Sequence, residues 1–440
     1  MSNPSNIRLL YVARGTRGFG DGFATIILPA YLGAIGYDPV QIGIVLTGSL
    51  LGTAVFTLAI GWIAPRHDLR TLLLGGTALM VFTGFAFPNF EHIAVIVIVT
   101  FVGTINPSTG DLGILVPLEH AMLARGVADQ ERTHAFSRYS LIGALSMAVG
   151  TLAAVFPDVL THQGIGRIDA FRLMFYVYAV LGFAGAALYW RLPHARMTEP
   201  SHHAPLGPSR HIVYRLAALF SLDAFAGGFV VQSLLVLWLF ERFDLSVSAA
   251  SVFFFWTGIL SASSYPIAAR LAARFGLVNT MVFTHIPSNL FLILAAYSSN
   301  LYVTLGLLLL RSALSQMDVP TRTSYVMAVV TPAERATAAS VTAVPRSLAS
   351  AISPTFAGLL LSTAFPGLPL IVAGSLKILY DFALLYSFHH LKPPEEMVRS
   401  ARHDPNNLDD QSRYTVGSGT LIAYSIAPRG KSCARGRWSE

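Results

Sequence analysis

Three charged residues share one face of a segment that is otherwise apolar enough to cross a membrane. In residues 14–33, RGTRGFGDGFATIILPAYLG, Arg14, Arg17 and Asp21 stand at positions i, i+3 and i+7, which places them on one side of a helix. A charge near the bilayer centre costs about 2.5–3.5 kcal/mol on insertion scales, so we expect these residues to face a bundle interior or a watery cavity. Because a buried carboxylate can take up a proton and release it when a cation approaches, Asp21 is predicted to be a proton-coupling residue.

The same kind of segment occurs a second time. In RLAALFSLDAFAGGFVVQSLLVLWLF, which begins at Arg215, the tetrapeptide DAFA begins at Asp223 as DGFA begins at Asp21. A basic residue precedes the acid by about two turns in both segments. The chain is therefore predicted to consist of two related halves, each opening with an acid-bearing membrane helix, and Asp223 is the second proton-coupling candidate.

A polar stripe is predicted in the tenth apolar segment. Arg311, Ser315, Asp318 and Arg322 stand at i, i+4, i+7 and i+11, so one continuous helix would present them on one face. The functional interpretation is a cavity wall that binds substrate or relays protons. The alternative interpretation is a structural ion pair or hydrogen bonding between helices.

Two more charges are assigned to the translocation pathway. Arg346 follows Pro345 about ten residues into the eleventh segment, near mid-membrane, and Asp111 follows Asn106 and Pro107 in the fourth. For Asp111 a gating role and a helix-capping role remain alternatives. The predicted cavity side thus has an excess of arginines, which favours an anionic or zwitterionic substrate.

Other polar residues of the apolar segments are interpreted structurally. Glu119 is expected to be a solvated residue at the membrane interface. Lys377 and Asp381 are expected to neutralise each other as an i, i+4 pair, and His285 to be a satisfied core histidine. Adjacent His202 and His203 are expected to lie in a solvated loop, so no metal site and no cofactor are predicted.

The composition is that of a multi-pass membrane protein. The chain is 53% hydrophobic and 12% charged, whereas soluble domains carry about 25% charged residues. Its net charge of +7 comes from Lys and Arg scattered over short loops and a tail, which does not indicate nucleic-acid binding. The single cysteine, Cys433, excludes an internal disulfide framework.

Twelve segments reach the length of about 20 apolar residues that a spanning helix needs. They are predicted at about 10–35, 40–63, 70–88, 93–118, 134–156, 170–191, 212–238, 246–268, 278–298, 302–328, 337–362 and 367–389. The predicted fold is an all-α integral membrane protein with twelve transmembrane helices in two pseudo-symmetric six-helix bundles.

The predicted domains follow the longest inner connection. Residues 1–191 form the N-terminal bundle, 192–210 a cytoplasmic linker, 211–391 the C-terminal bundle and 392–440 a disordered cytoplasmic tail. Lys and Arg concentrate in alternate loops, so both termini are predicted to be cytoplasmic, in a cell (plasma or inner) membrane.

The loop GWIAPRHDLR, from Gly61 to Arg70, resembles the loop between helices two and three of the major facilitator superfamily. Gly61, Arg66 and Arg70 fit that pattern, whereas Pro65 stands at the position of its acid. The second half keeps a related pair in AARLAARFGL, namely Arg274 and Gly276. The tenth segment, RSALSQMDVPTRTSYVMAVV, resembles that of a bacterial branch of permeases in this superfamily. The resemblance implies that Gly61, Arg66, Arg70, Arg274 and Gly276 form conformational gating loops.

The function predicted from these features is secondary active transport of a small solute by alternating access, coupled most simply to protons. Import and efflux stay open. The alternatives are a transporter-fold receptor or scaffold without net transport, and a uniporter. An enzyme is not predicted, because no Walker loop, catalytic triad or metal-ligand spacing is present. Beyond the solute, protons and the lipid bilayer, no nucleic-acid or obligate protein partner is expected.

Overall fold

A computed structural model describes residues 4–103, 105–108, 113–127, 131–196, 206–331 and 334–388. Within these ranges the regular structure consists of sixteen α-helices and two short 3₁₀ turns, without a β-strand. The predicted all-α fold is confirmed. Asp111, the central part of the linker with His202 and His203, and the segment 392–440 lie outside the described residues.

The helices follow one another along the chain as two sets of eight. In the first half they are α1 (Pro4–Ala34), α2 (Pro39–Ile63), α3 (Leu69–Ala86), α4 (Ile93–Val102), α5 (Leu115–Gly126), α6 (Arg132–Ala153), α7 (Phe156–His162) and α8 (Arg167–Trp190). In the second half they are α9 (Arg210–Gly228), α10 (Gln232–Phe243), α11 (Val247–Phe275), α12 (Leu277–Tyr297), α13 (Leu301–Ser315), α14 (Asp318–Val329), α15 (Arg335–Leu361) and α16 (Leu368–Phe388).

Eight helical segments of the described chain are long and apolar enough to cross a membrane. They are α2, α3, α6 with α7, α8, α9 with α10, α11, α12 and α16. The remaining predicted crossings correspond to α1, α4 with α5, α13 with α14, and α15. The observed helices are therefore consistent with the twelve crossings predicted from the sequence.

The two halves pack their helices in the same way. Helix α1 packs along α6 and α3 along α8, just as α9 packs along α15 and α12 along α16. Between the halves, α2 packs on α15 and α11 packs on α6. These contacts are equivalent when α2 is matched with α11 and α6 with α15. The repeated contacts relate the two halves by a two-fold pseudo-symmetry, as expected for a fold built from internal repeats.

Glycines let helices of this bundle approach each other closely. A Cβ at Gly22 would lie 2.1 Å from the Met147 carbonyl oxygen, and one at Gly150 would lie 2.1 Å from the Phe19 carbonyl oxygen. Neither position has room for a side chain, so α1 and α6 touch backbone to backbone. Small residues at such crossings are the usual means of packing helices in membranes, where no hydrophobic effect drives helices together.

The halves meet at one end of the molecule, which we call the closed end: it contains the end of α1, the start of α2, the start of α11 and the end of α15. There Thr47 and Thr355 share a hydrogen bond of 2.8 Å between their hydroxyls. Asp158 accepts hydrogen bonds from the backbone and side chain of Ser248 at 3.0 and 2.5 Å. The opposite end, the open end, carries the start of α1 and the linker.

The tenth crossing differs from the predicted continuous helix. Helix α13 ends at Ser315, a turn follows at Gln316 and Met317, and α14 begins at Asp318. Pro320 lies in the first turn of α14, where its missing N–H would have had no intrahelical partner. Arg311, Ser315, Asp318 and Arg322 therefore stand on two helices instead of one continuous stripe.

Candidate functional site

A cavity of about 1460 Å³ lies between the halves. Its walls include residues 50–58 of α2 and 136–145 of α6 in the first half, and residues 253–266 of α11 and 343–350 of α15 in the second. All four stretches lie on the open-end side of the contacts that join the halves. The cavity therefore reaches from the middle of the bundle toward the open end, and the closed end seals it on the other side.

The two walls of the cavity differ sharply in charge. Every charged residue among its described lining residues comes from the second half: Asp223, Arg311, Asp318, Arg322, Arg346 and Lys377. The described lining residues of the first half are apolar or carry hydroxyl groups, among them Phe136, Ser137, Ser140, Leu141 and Leu145. Recognition of a charged group in this cavity would thus fall to the second half.

Asp223 stands at the centre of the charged wall. Lys377 Nζ lies 2.6 Å from its Oδ1, and Arg322 Nη1 lies 3.3 Å from its Oδ2. Arg322 also pairs with Asp318 one turn earlier on α14. All four side chains are buried, and buried charges of this kind are tolerated only when they are paired. Helices α9, α14 and α16 each contribute part of this set.

A histidine, His285, and a third carboxylate, Asp381, extend this cluster, and His285 also lines the cavity. His285 Nδ1 lies 2.9 and 3.1 Å from the two carboxylate oxygens of Asp381, and Asp381 is fully buried. His285 Nε2 lies 4.0 Å from Asp223 Oδ1. We call the six residues Asp223, His285, Asp318, Arg322, Lys377 and Asp381 the charge network.

The network corrects two expectations from the sequence. Lys377 and Asp381 do not pair with each other: Lys377 binds Asp223 on α9, and Asp381 binds His285 on α12. His285 is accordingly a member of a charged cluster and not a lone core histidine. The i, i+4 spacing was compatible with a pair, but neighbouring helices supply closer partners for both side chains.

Two arginines of the cavity wall, Arg311 and Arg346, form no ion pair with the described residues. Arg311 is half-buried, and its Nε makes no hydrogen bond. Arg346 is exposed to the cavity. Neither guanidinium forms an ion pair with any part of the chain that the structure describes. Asp318, two turns from Arg311, pairs with Arg322 instead, so the structural pair considered for Arg311 is not formed.

The charged residues of α1 lie in a separate cluster inside the first half. Arg17 Nη1 lies 2.6 Å from Glu119 Oε2, and Glu119 also accepts hydrogen bonds from Tyr139 at 2.5 Å and Tyr189 at 2.6 Å. Arg14 stacks on the Tyr139 ring, with 5.3 Å between its Cζ and the ring centroid. Glu119 is fully buried, which corrects the expectation of a solvated interfacial residue.

Asp21 belongs to the same buried region. Its Oδ1 accepts a hydrogen bond of 3.2 Å from Tyr178. Asp21, Arg14 and Arg17 are absent from the described lining residues of the cavity. The predicted polar face of α1 therefore exists, but it points into the first half and not toward the cavity.

The predicted gating loops lie at the open end. Arg66 stands in a 3₁₀ turn after α2, and Arg70 stacks on Trp190 with 4.9 Å between its Cζ and the ring centroid. Arg274 lies over Phe275 near the end of α11, and Gly276 joins α11 to α12 with a φ of 90°. A Cβ at Gly61 would meet no atom within 4 Å, so packing does not explain that glycine.

Asp68, two residues after the 3₁₀ turn that follows α2, ties the linker to the first half. It caps α3 by accepting from the Thr71 amide at 3.1 Å, and it accepts from the Ala195 amide at 2.6 Å. His194 Nδ1 lies 3.0 Å from the same carboxylate. Burial alone would raise the pKa of Asp68, but the hydrogen bonds from Ala195, His194 and Thr71 outweigh it and lower that pKa.

We expect Asp68→Asn to loosen the linker without loss of the helix cap, since Asn caps as well as Asp. Losing the charged acceptor at this partly exposed position should destabilise the attached linker by about 1 kcal/mol. The fraction of molecules with the linker detached should then rise about fivefold. Trypsin cleavage after Arg196 should accelerate by that factor, whereas Asp38→Asn, at the cap of α2, should leave it unchanged. Because the folded-state pKa is lowered, this contribution is fully present above about pH 4, where free Asp titrates, and is lost as pH falls further, through the lowered pKa of the folded state. An unchanged cleavage rate would mean that Asp68 does not hold the linker.

Comparison with known proteins gives one family. A model of the Major Facilitator Superfamily matches residues 10–354. An uncharacterized membrane protein of Saccharomyces cerevisiae, YJR124C, is 25% identical over 423 residues, which cover 87% of this chain and 94% of the yeast protein. The inward-open xylose transporter XylE from E. coli has a TM-score of 0.69 and 13% identity, over 90% of this chain and 99% of that one. The nucleoside transporter NupG has a TM-score of 0.67 and 14% identity, over 88% and 99%.

Proposed function

The chain belongs to the Major Facilitator Superfamily, and from this premise we propose that it is a secondary active transporter that moves an organic anion together with protons. Membrane transport by alternating access follows from the family. The class of solute, an organic anion, and the coupling ion, the proton, are our proposal. The observation that carries the proposal is the position of Arg311 and Arg346 on the wall of the central cavity, where neither forms an ion pair with a described residue.

Alternating access requires a site that faces one side of the membrane at a time. The cavity satisfies this, since the halves touch at the closed end and part toward the open end. Basic loop residues concentrate at the open end, including Arg66, Arg70, Arg196, Arg210 and Arg335. By the positive-inside rule we assign the open end to the cytoplasm, so the described conformation is inward-facing.

The charges of the cavity favour an anion over a zwitterion. A zwitterion needs both a cation and a free carboxylate for its two groups. The carboxylates among the described lining residues, Asp223 and Asp318, are each engaged by Lys377 or Arg322. Among the described lining residues, the guanidiniums of Arg311 and Arg346 are the charges that form no ion pair, and guanidiniums bind carboxylates and phosphates well.

The opposite wall favours an apolar body on that anion. Phe136, Leu141 and Leu145 of α6 line the cavity together with the hydroxyls of Ser137 and Ser140. An anion with an aromatic or aliphatic body could place its charge against the second half and its apolar part against the first. Binding would then engage both halves at once, which is what drives their rocking in alternating access.

Asp223 is the better placed of the two predicted proton-coupling residues. It lines the cavity and shares its charge between Lys377 and Arg322, whereas Asp21 is enclosed in the first half. A change of protonation beside Asp223 would alter how strongly it retains these two cations, and with them the charge offered to the substrate. We therefore propose that coupling acts through Asp223.

A series of ligands with one skeleton and three charges tests the anion proposal. Benzoate, benzamide and benzylamine share a phenyl ring and differ in charge. A ligand present at 100 times its Kd stabilises the folded protein by about 2.7 kcal/mol. We expect benzoate and larger aromatic carboxylates to raise the unfolding temperature of the purified protein, and the neutral and cationic analogues to leave it unchanged. Equal stabilisation by all three charges would refute recognition through the arginines.

The closed end offers a test of alternating access. A Cβ at Gly43 would lie 2.4 Å from the Pro354 carbonyl oxygen of the other half, so Gly43→Val should favour states in which this end is open. We expect a cysteine at Thr47, in a Cys433→Ser background, to react at least tenfold faster with an impermeant thiol reagent applied from the closed-end side. Gly33→Val is the matched control, because a Cβ at Gly33 meets no atom within 4 Å. Equal reactivity in both variants would mean that the contact at Gly43 does not control opening.

A further inference from the structure

His285 is the one histidine among the described residues that line the cavity. It sits on α12 between two carboxylates from different helices: Asp381 of α16 on its Nδ1 side and Asp223 of α9 on its Nε2 side. Its ring also packs edge-on against Tyr380, with 6.2 Å between ring centroids. A residue that can carry a proton thus borders both the cavity and the central carboxylate.

We propose that His285 is the proton-binding residue of this transporter. Asp381 holds its ring in position, and Asp223 changes its contacts when the ring is protonated. The proposal rests on the proton coupling proposed above and names the group that accepts the proton. Histidine is the side chain whose ordinary titration falls between pH 5 and 8, and it is widely used as a proton shuttle.

The contacts assign the two ring nitrogens to different roles. Nδ1 lies within 2.9 and 3.1 Å of both oxygens of Asp381, so we assign the proton of the neutral ring to Nδ1, where it donates to that carboxylate. Nε2 then carries the lone pair. A proton from cavity water would bind Nε2, and it would return to water after the cavity has opened to the other side.

Counting charges shows what the proton supplies. The charge network contains three carboxylates, Asp223, Asp318 and Asp381, and two basic residues, Arg322 and Lys377, which are counted as charged because both are ion-paired with Asp223. With neutral His285 it carries three negative and two positive charges, an excess of one negative charge. One proton on His285 therefore balances the network.

The elements packed against α12 present the other charged or titratable groups that act on His285. Those directed toward the interior or the cavity are Tyr265 of α11, Arg311 of α13, Asp318, Arg322 and Tyr325 of α14, and Lys377, Tyr380 and Asp381 of α16, with Asp223 opposite on α9. The arginines of α11, Arg270 and Arg274, are exposed near the open end. The carboxylates of Asp381 and Asp223 are the groups that face the two ring nitrogens, at 2.9 and 4.0 Å.

Protonation would then prepare the site for an anion. A proton on Nε2 would let His285 approach Asp223 Oδ1, the oxygen that Lys377 now holds at 2.6 Å. Lys377 lines the cavity. When its ion pair with Asp223 weakens, the Lys377 ammonium group would become available to the substrate together with Arg311 and Arg346. Proton binding and anion binding would thereby support each other, which is the requirement for moving both together.

Histidine hydrogen–deuterium exchange at the ring C2 position, followed by mass spectrometry, tests this directly in the full chain in nanodiscs. The exchange rate reports the protonation of each imidazole. We expect the exchange rate of His285 to vary with pH as its ring takes up a proton, and Asp381→Asn to move that dependence toward acidic pH, because a neighbouring negative charge is lost. Asp169→Asn, at an exposed carboxylate on α8, should leave it in place, and exposed His162 serves as an internal reference.

A His285 exchange rate that stays constant from pH 5 to 9 in the wild-type protein would overturn the proposal and point to a carboxylate as the carrier. Titration of His285 with no shift in a folded Asp381→Asn variant would also contradict it. If that variant fails to fold, Asp381→Glu, which keeps the charge, should retain the titration. The measurement uses no substrate and no gradient, so a failure of anion transport in proteoliposomes would be seen separately from a failure of His285 to bind protons.

Discussion

Asp223→Asn is expected to abolish transport driven by a proton gradient and to lower the stability of the folded protein by about 3–5 kcal/mol, the usual cost of removing one partner of a buried ion pair. The amide fills the same space but leaves Lys377 and Arg322 without their shared carboxylate. Thermal unfolding of the purified protein measures the loss of stability. Uptake into proteoliposomes with an imposed pH gradient measures the loss of coupling.

Two further variants separate coupling from stability. Adding Lys377→Gln to Asp223→Asn removes the stranded cation and should recover at least half of the lost stability, but no gradient-driven uptake. Asp21→Asn is the pseudo-symmetric control: its carboxylate lies outside the described cavity lining, so gradient-driven uptake should persist. Full gradient-driven uptake by a folded Asp223→Asn variant would remove Asp223 from the coupling mechanism.

The second large effect is expected at the cavity arginines. Hydrogen bonds to charged groups contribute about 1.5–3 kcal/mol each, and a tenfold change in affinity corresponds to 1.4 kcal/mol. Arg311→Gln and Arg346→Gln should each weaken the binding of an anionic ligand about 10- to 100-fold. Neither guanidinium has a partner among the described residues, so folding should be unaffected. The ligand-induced rise in unfolding temperature, measured over a range of ligand concentrations, gives both affinities.

Arg270→Gln is the matched control for these variants, because Arg270 is exposed on α11 and is not among the described lining residues. It should bind the ligand like the wild type. If Arg311→Gln unfolds the protein, the arginine has a structural role. If both cavity variants bind the anion with unchanged affinity, the substrate is held by other groups.

The helices could be predicted from the sequence because the length of an apolar run is a direct physical requirement of the bilayer. The relation between the halves could be predicted because Asp21 and Asp223 stand in matching local sequences. The division of the tenth crossing was missed, although Pro320 in the first turn of α14 was a signal for it. The exact domain limits, including the linker at 192–210, stay predictions.

The partners of the buried charges could not be predicted, because periodicity fixes which residues share a helix face but not which helix lies opposite. Arg14, Arg17 and Asp21 do share a face, yet that face meets Glu119, Tyr139 and Tyr178 within the first half. Lys377 and Asp381 illustrate the same limit on α16. No pattern in the sequence indicated that His285 and Glu119 join charged clusters, because their partners stand on other helices.

The most direct test of the central claim is uptake of labelled aromatic carboxylates and sulfonates into proteoliposomes, with and without an imposed pH gradient. We expect accumulation above the external concentration only when the gradient is present and the wild-type protein is incorporated. The Arg311→Gln, Arg346→Gln double variant, incorporated in equal amount, should show none. Uptake that proceeds equally without a gradient, or that prefers cationic analogues of the same skeleton, would contradict a proton-coupled organic-anion transporter.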